Sequence, residues 1–118
     1  MRKDVIDLDE ALERVGDDID LLVELLEVFM EDYPGKIRAL RDAAHQNNCD
    51  QIKDVAHAMK GASGNISAKK MRQIFLSIED MAKAGDSNAI EGLCVELDKE
   101  FTDIQAYYAH LKDKLGTA

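Results

Sequence analysis

Residues 90–115 read IEGLCVELDKEFTDIQAYYAHLKDKL, and within them Ile90, Leu93, Leu97, Phe101, Ile104, Tyr108, Leu111 and Leu115 recur three or four positions apart. At about 100° per residue this spacing keeps one apolar stripe in register along the whole stretch, which predicts a long amphipathic helix with Gly116 as its stop. A single stripe of this kind has to be covered by other elements, so the rest of the chain must supply the partners.

It does so with the same period. Ile19, Leu22, Leu26, Phe29, Tyr33, Ile37, Leu40 and Ala44 form a second stripe behind the Asp17-Asp18 cap, running through Pro34. The proline predicts one helix kinked there, or two in sequence. Gln46-Asn47-Asn48 reads as a turn and Asp50 as the next cap, followed by Ile52, Val55, Ala56, Met59, Ser63 and Ile66 as an inner face. Ser67 is expected to cap a fourth stripe of Met71, Ile74, Phe75, Ile78 and Ala82, ending near Gly85. Near the start, Asp7 and Glu10 resemble a capping box before Leu8, Leu12 and Val15, with Gly16 as the stop. No run alternates β-branched and polar residues, so no strand is expected. The predicted fold is all-α: an antiparallel up-and-down four-helix bundle with a short additional N-terminal helix as a lid, in one domain over 1–118.

With 118 residues, 46% hydrophobic and 33% charged, the composition is that of one soluble globular domain. No apolar run reaches the length of a membrane span, and the opening residues show no secretory signal, so membrane insertion is not expected and the cytoplasm is the expected compartment. Cys49 and Cys94 are read as free thiols. A net charge of −9 argues against nucleic-acid binding. The charge is uneven: between Lys53 and Arg72 stand five basic residues and one acid, a net +4 that leaves −13 for the remainder. A basic island of this sort steers encounters with acidic partners.

That island surrounds His57. With Ile52 at the centre of the buried face, His57 falls at about 140°, Gly61 at about 180°, Gly64 at about 120°, Lys60 at about 80° and Lys53 at about 100°. His57 therefore faces water, beside two residues without side chains and two lysines. Each interior glycine costs a helix about 1 kcal/mol relative to alanine, and these two lie away from the apolar stripe, so close helix packing does not explain them. Close approach of a bulky partner to the imidazole does. An exposed imidazole is a competent nucleophile, and an ammonium three residues on can meet an anion carried by the ring. At the edge of the histidine's face, Lys60 is expected to matter for this electrostatic task and little for stability. His45 and His110 have no such surroundings.

The run Ala56-His57-Ala58-Met59-Lys60-Gly61-Ala62-Ser63-Gly64-Asn65-Ile66 resembles the A-H-x-[LM]-K-G-[SA]-[SA]-x-N-[LI] signature of histidine-containing phosphotransfer (HPt) domains. Ile6-Asp7-Leu8 with Ala11, the Gly16-Asp17 break, Phe29, Pro34, Leu40, and Ile78-Glu79 with Gly85 are similar to the family pattern as well. The resemblance implies a helical bundle in which His57 carries a phosphoryl group on Nε2 and Lys60 offsets its charge, while Gly61 and Gly64 clear the approach. Glu79 matches a family position whose side chain hydrogen-bonds the other ring nitrogen. It lies about 80° from the apolar stripe of its own helix, at an edge from which a neighbouring helix can be reached. The implied partners are receiver domains of response regulators and a sensor or hybrid histidine kinase. The chain itself is expected to be a monomeric carrier without kinase activity, free-standing or part of a hybrid kinase. No cofactor is expected on it, since no nucleotide loop or kinase signature is present, and Mg²⁺ is expected on the receiver. One position departs from the pattern: ten residues after the histidine, where the family usually has glycine, this chain has Ser67.

Two other readings compete. Asp42-x-x-His45 and Asp54-x-x-His57 echo the Glu-x-x-His pairs of di-iron bundles, but those ligands must face the core, whereas Asp54 and His57 face outward. A non-phosphorylated interaction bundle accounts for the stripes and leaves the exposed glycines unexplained.

Overall fold

The computed structural model describes residues 2–116, with side chains to Lys114. It contains α1 (Leu8–Arg14), α2 (Ile19–His45), α3 (Cys49–Asn65), α4 (Lys69–Lys83) and α5 (Ile90–Gly116), and no strand among the described residues. The long helices contact one another in cyclic order, α2 on α3, α3 on α4, α4 on α5 and α5 on α2. Three-residue turns at 46–48 and 66–68 reverse the chain direction, giving an up-and-down four-helix bundle of 50 × 22 × 20 Å. Pro34 does not divide α2, which runs unbroken across it. Its ring lies on the exposed side, where water can take the carbonyl that the missing N–H leaves free.

Helices α1 to α4 end alike, each followed by a residue with positive φ: Gly16 (62°), Asn47 (52°), Ser67 (56°) and Gly85 (77°). After α3, the Ser67 N–H donates to the Gly64 carbonyl and the Ala68 N–H to the Ser63 carbonyl, both at 3.0 Å. This is a Schellman closure, and it satisfies carbonyls the helix end would otherwise orphan. Ser67 is thus not the cap of α4, contrary to the sequence expectation. The N-cap is Ala68, with no side-chain capping bond. The left-handed conformation also explains why glycine suits this position. Asp50 likewise sits in the first turn of α3, and Asn48 is the cap, accepting from the Gln51 N–H at 3.1 Å. Asp7 and Asp18 cap α1 and α2.

The α1 segment seats against the α3–α4 turn, where the Asp7 N–H donates to the Ser67 carbonyl at 3.0 Å and Ser67 Oγ donates to Glu10 at 3.1 Å. On α5 the buried seam runs through Ile90, Cys94, Leu97, Glu100, Ile104, Tyr107 and Leu111. Tyr107 rather than Tyr108 is buried, and Phe101 and Tyr108 are half-buried on the flank toward α2. There Phe101 stacks on Tyr33 with ring centroids 4.0 Å apart, and the Tyr108 hydroxyl donates to Glu27 at 2.8 Å. Glu100 occupies a seam position because Arg2 folds back and donates to both its oxygens at 2.6 Å. The stripe assigned to Leu115 and the stop at Gly116 fall where side chains or the following residues lie outside the described set.

Candidate functional site

His57 stands near the middle of α3, its side chain 70% exposed, facing α4. Across the groove, Glu79 comes from α4 and is only 3% exposed. Both carboxylate oxygens are engaged: Oε2 with His57 Nδ1 at 2.7 Å and Oε1 with Lys60 Nζ at 2.7 Å. The Lys60 bond is the largest influence on Glu79 and, with help from His57, outweighs its burial, holding the carboxyl below its ordinary value. An ionised carboxylate can only accept, so the ring proton belongs on Nδ1 and Nε2 keeps its lone pair, pointed away from Glu79. The arrangement is an exposed imidazole held through Nδ1 by a buried carboxylate, with an ammonium on the carboxylate's other oxygen.

The structure therefore brings together His57, Lys60 and Glu79, three residues drawn from two helices. Lys60 stands at the edge of the histidine's face as its angle implies, 21% exposed, but its ammonium is bonded to Glu79, a partner the sequence reading did not assign to it. Lys53, one turn before His57, is half-buried and forms no ion pair among the described residues. The glycines divide. A side chain at Gly61 would meet nothing within 4 Å, whereas one at Gly64 would meet Arg72 Cδ at 3.4 Å and Nε at 3.5 Å. Asp42, His45 and Asp54 are all exposed, not turned into the core as bundle metal ligands must be.

Folding also redistributes the basic island. Lys69 pairs with Asp7 and Glu10 at 2.9 Å, and Lys70 approaches Glu100 at 3.8 Å. With Lys60 committed to Glu79, the cations of the island left without a carboxylate among the described residues are Lys53 and Arg72. Arg72 was visible in the sequence only as one member of a charge cluster. The signal that locates it is hairpin symmetry: His57 and Glu79, like Gly64 and Arg72, are equidistant in sequence from Ala68 in the turn. Sequence reasoning also missed Val28, 62% exposed on α2, which borders a shallow depression with Leu25, Ala62 and Asn65 on the flank of α3 away from α4.

The sequence profile of the Hpt domain matches residues 24–107. Phosphorelay protein LuxU of Vibrio vulnificus, in strains YJ016 and CMCP6, is 26% identical over 84 residues, covering 70% of this chain and 73% of LuxU. Among solved structures, histidine-containing phosphotransfer protein B of Pseudomonas aeruginosa PAO1 superposes with a TM-score of 0.85 at 21% identity, over 96% of this chain and 98% of that one. The HPT domain of a sensor hybrid histidine kinase from Shewanella gives 0.75 at 20% identity, over 97% and 96%. These two share the fold of this chain. With the family profile spanning most of its length, the chain belongs to the Hpt domain family and is a histidine phosphotransfer module of two-component phosphorelays.

Proposed function

We propose that His57 is the phosphoacceptor, with Glu79 orienting its ring and Lys60 supplying positive charge beside it. The observation that carries this reading is the 2.7 Å bond from Nδ1 to a buried carboxylate on an imidazole whose side chain is 70% exposed. In the forward step, the Nε2 lone pair attacks phosphorus of a receiver's phosphoaspartate. The N–P bond forms as the bond from phosphorus to the aspartyl oxygen breaks, and the carboxylate leaves with that electron pair. The Nδ1 proton stays on the ring, which becomes cationic, and Glu79 stabilises that charge. Lys60 has three donors, so it can hold Glu79 with one and a phosphoryl oxygen with another. The reverse step passes the group to the next receiver.

On this reading the chain is a carrier, not an autonomous enzyme. Phosphoryl transfer needs charge neutralisation around three equatorial oxygens, and the receiver brings the Mg²⁺ and acidic pocket that supply it. Open backbone at Gly61 lets that pocket reach Nε2, and Lys53 lies on the same helix to meet acidic groups on its rim. The partners are receiver domains and the sensor or hybrid kinase that feeds them, with the chain acting as a cytoplasmic monomer. No helix of the described residues is long and apolar enough to cross a membrane. Incubation with a ³²P-labelled phosphorylated receiver tests the assignment. His57→Gln is expected to abolish labelling while helix content stays unchanged, and acid-labile label persisting in this variant would refute it.

A further inference from the structure

The two glycines on the His57 side of α3 have different surroundings: Gly61 is exposed and open, whereas Gly64 is half-buried. Gly64 carries the Arg72 side chain, whose Cδ and Nε lie 3.4 and 3.5 Å from where a Cβ would stand. Arg72 is exposed and has no carboxylate partner among the described residues, whereas Lys69 and Arg14 beside it are both tied to Glu10. Together with Gly64, Ser67 and Gln73 these residues line a cleft of about 340 Å³ where α1 meets the α3–α4 turn.

Gly64 lies seven residues beyond His57, which along a helix is about 10 Å. A stable protein partner covers about 800 Å² on each side, a patch with a radius of roughly 16 Å. A receiver that seats its aspartate on Nε2 therefore also covers Arg72. An arginine whose Cδ and Nε pass over a glycine has fewer conformations to lose on docking and presents a planar fork suited to a carboxylate.

We propose that Arg72, held by Gly64, is a specificity-determining residue for phosphotransfer: it docks a surface carboxylate of the receiver two helical turns from the reacting nitrogen. The proposal rests on the reading of His57 given above and assigns Gly64 the task of seating Arg72, leaving clearance of the nucleophile to Gly61. Lysine at position 72 would keep the charge without the fork, so it is expected to restore only part of the effect.

The test uses the full chain and the receiver that loads wild-type His57 fastest in a panel of phosphorylated receiver domains. Arg72→Ala is expected to raise the receiver concentration at half-maximal rate about tenfold at low ionic strength, leave the saturating rate within about twofold and flatten the salt dependence. Arg72→Glu should raise it further, and a lysine replacing the contacted carboxylate on the receiver should rescue that variant. Gly64→Leu, whose atoms beyond Cβ compete with Arg72 Cδ and Nε for the same space, should reproduce the Arg72→Ala shift, and circular dichroism confirms that each variant is folded. If wild type accepts phosphate but Arg72→Glu keeps the wild-type half-saturation, or loses only saturating rate, the docking role is overturned and the phosphoacceptor assignment stands. Wild type that is labelled by phosphoramidate, a donor with no protein surface, but by no receiver would overturn the receiver-transfer reading and this inference with it.

Discussion

Replacing Lys60 by alanine strands a carboxylate that the fold has almost closed off from water. Glu79 is 3% exposed, and each of its oxygens has a single side-chain partner at 2.7 Å, one from His57 and one from Lys60. Breaking a fully buried ion pair on one side costs about 3–5 kcal/mol. The Lys60 side chain retains 21% exposure, so water can enter part of the vacated space, and a loss of about 2 kcal/mol is expected. For a domain of this size that is a fall of roughly 8 °C in Tm. The loss should depend on pH. Glu79 is held below its ordinary value on folding, so its contribution is present above the unfolded value of about 4.3 and disappears as pH falls through the folded one. Without Lys60 the largest influence holding the carboxyl down is gone while its burial remains, so the gap between the two proteins is widest near pH 7 and narrows on acidification. Differential scanning calorimetry from pH 3 to 7 checks this. Combining Lys60→Met with Glu79→Gln should recover most of the loss, because no buried charge is left unpaired. A Tm at pH 7 within 1 °C of wild type, or a gap independent of pH, would refute the reasoning and return Lys60 to a purely electrostatic task.

Gly61→Ala should raise stability by about 0.5–1 kcal/mol, since nothing stands within 4 Å of the new methyl group, while slowing transfer from a receiver by crowding the approach to Nε2; urea unfolding and quench-flow kinetics read the two opposite signs. Ser67→Val should cost about 2 kcal/mol in urea unfolding, because a β-branched residue is forced to a φ of 56° and the bond to Glu10 is lost, whereas Ser67→Gly should stay within about 1 kcal/mol of wild type. Tyr33→Phe removes a 2.9 Å bond to Asp98 on the α2–α5 seam, so a loss of about 1 kcal/mol with unchanged phosphotransfer rates is expected.

Local information settled which segments are helical. Periods of three and four residues through Leu22 to Leu40, Ile52 to Ile66, Met71 to Ala82 and Ile90 to Leu111 recover the four long helices, because burying a stripe requires that repeat wherever the helix packs. The outward placement of His57 and the openness at Gly61 follow from the same geometry, since exposure on a regular helix depends only on angle from the stripe. Choices between adjacent positions did not follow. Tyr107 and Tyr108 both satisfy the spacing from Ile104, and it is the rotation of α5 against α2 that buries one and sends the other's hydroxyl to Glu27. Ser67 looks like a cap to any local rule, but the closing bonds of α3 put it in the left-handed region. The charge pattern was least legible. A basic island reads as free positive surface, yet Asp7, Glu10, Glu79 and Glu100 fold in from distant segments to occupy Lys60, Lys69 and Lys70. Helical periodicity is a property of consecutive residues and survives in the sequence alone, whereas ion pairs and the bed of Arg72 on Gly64 are set by how α3 and α4 lie against each other, which only the packed bundle decides.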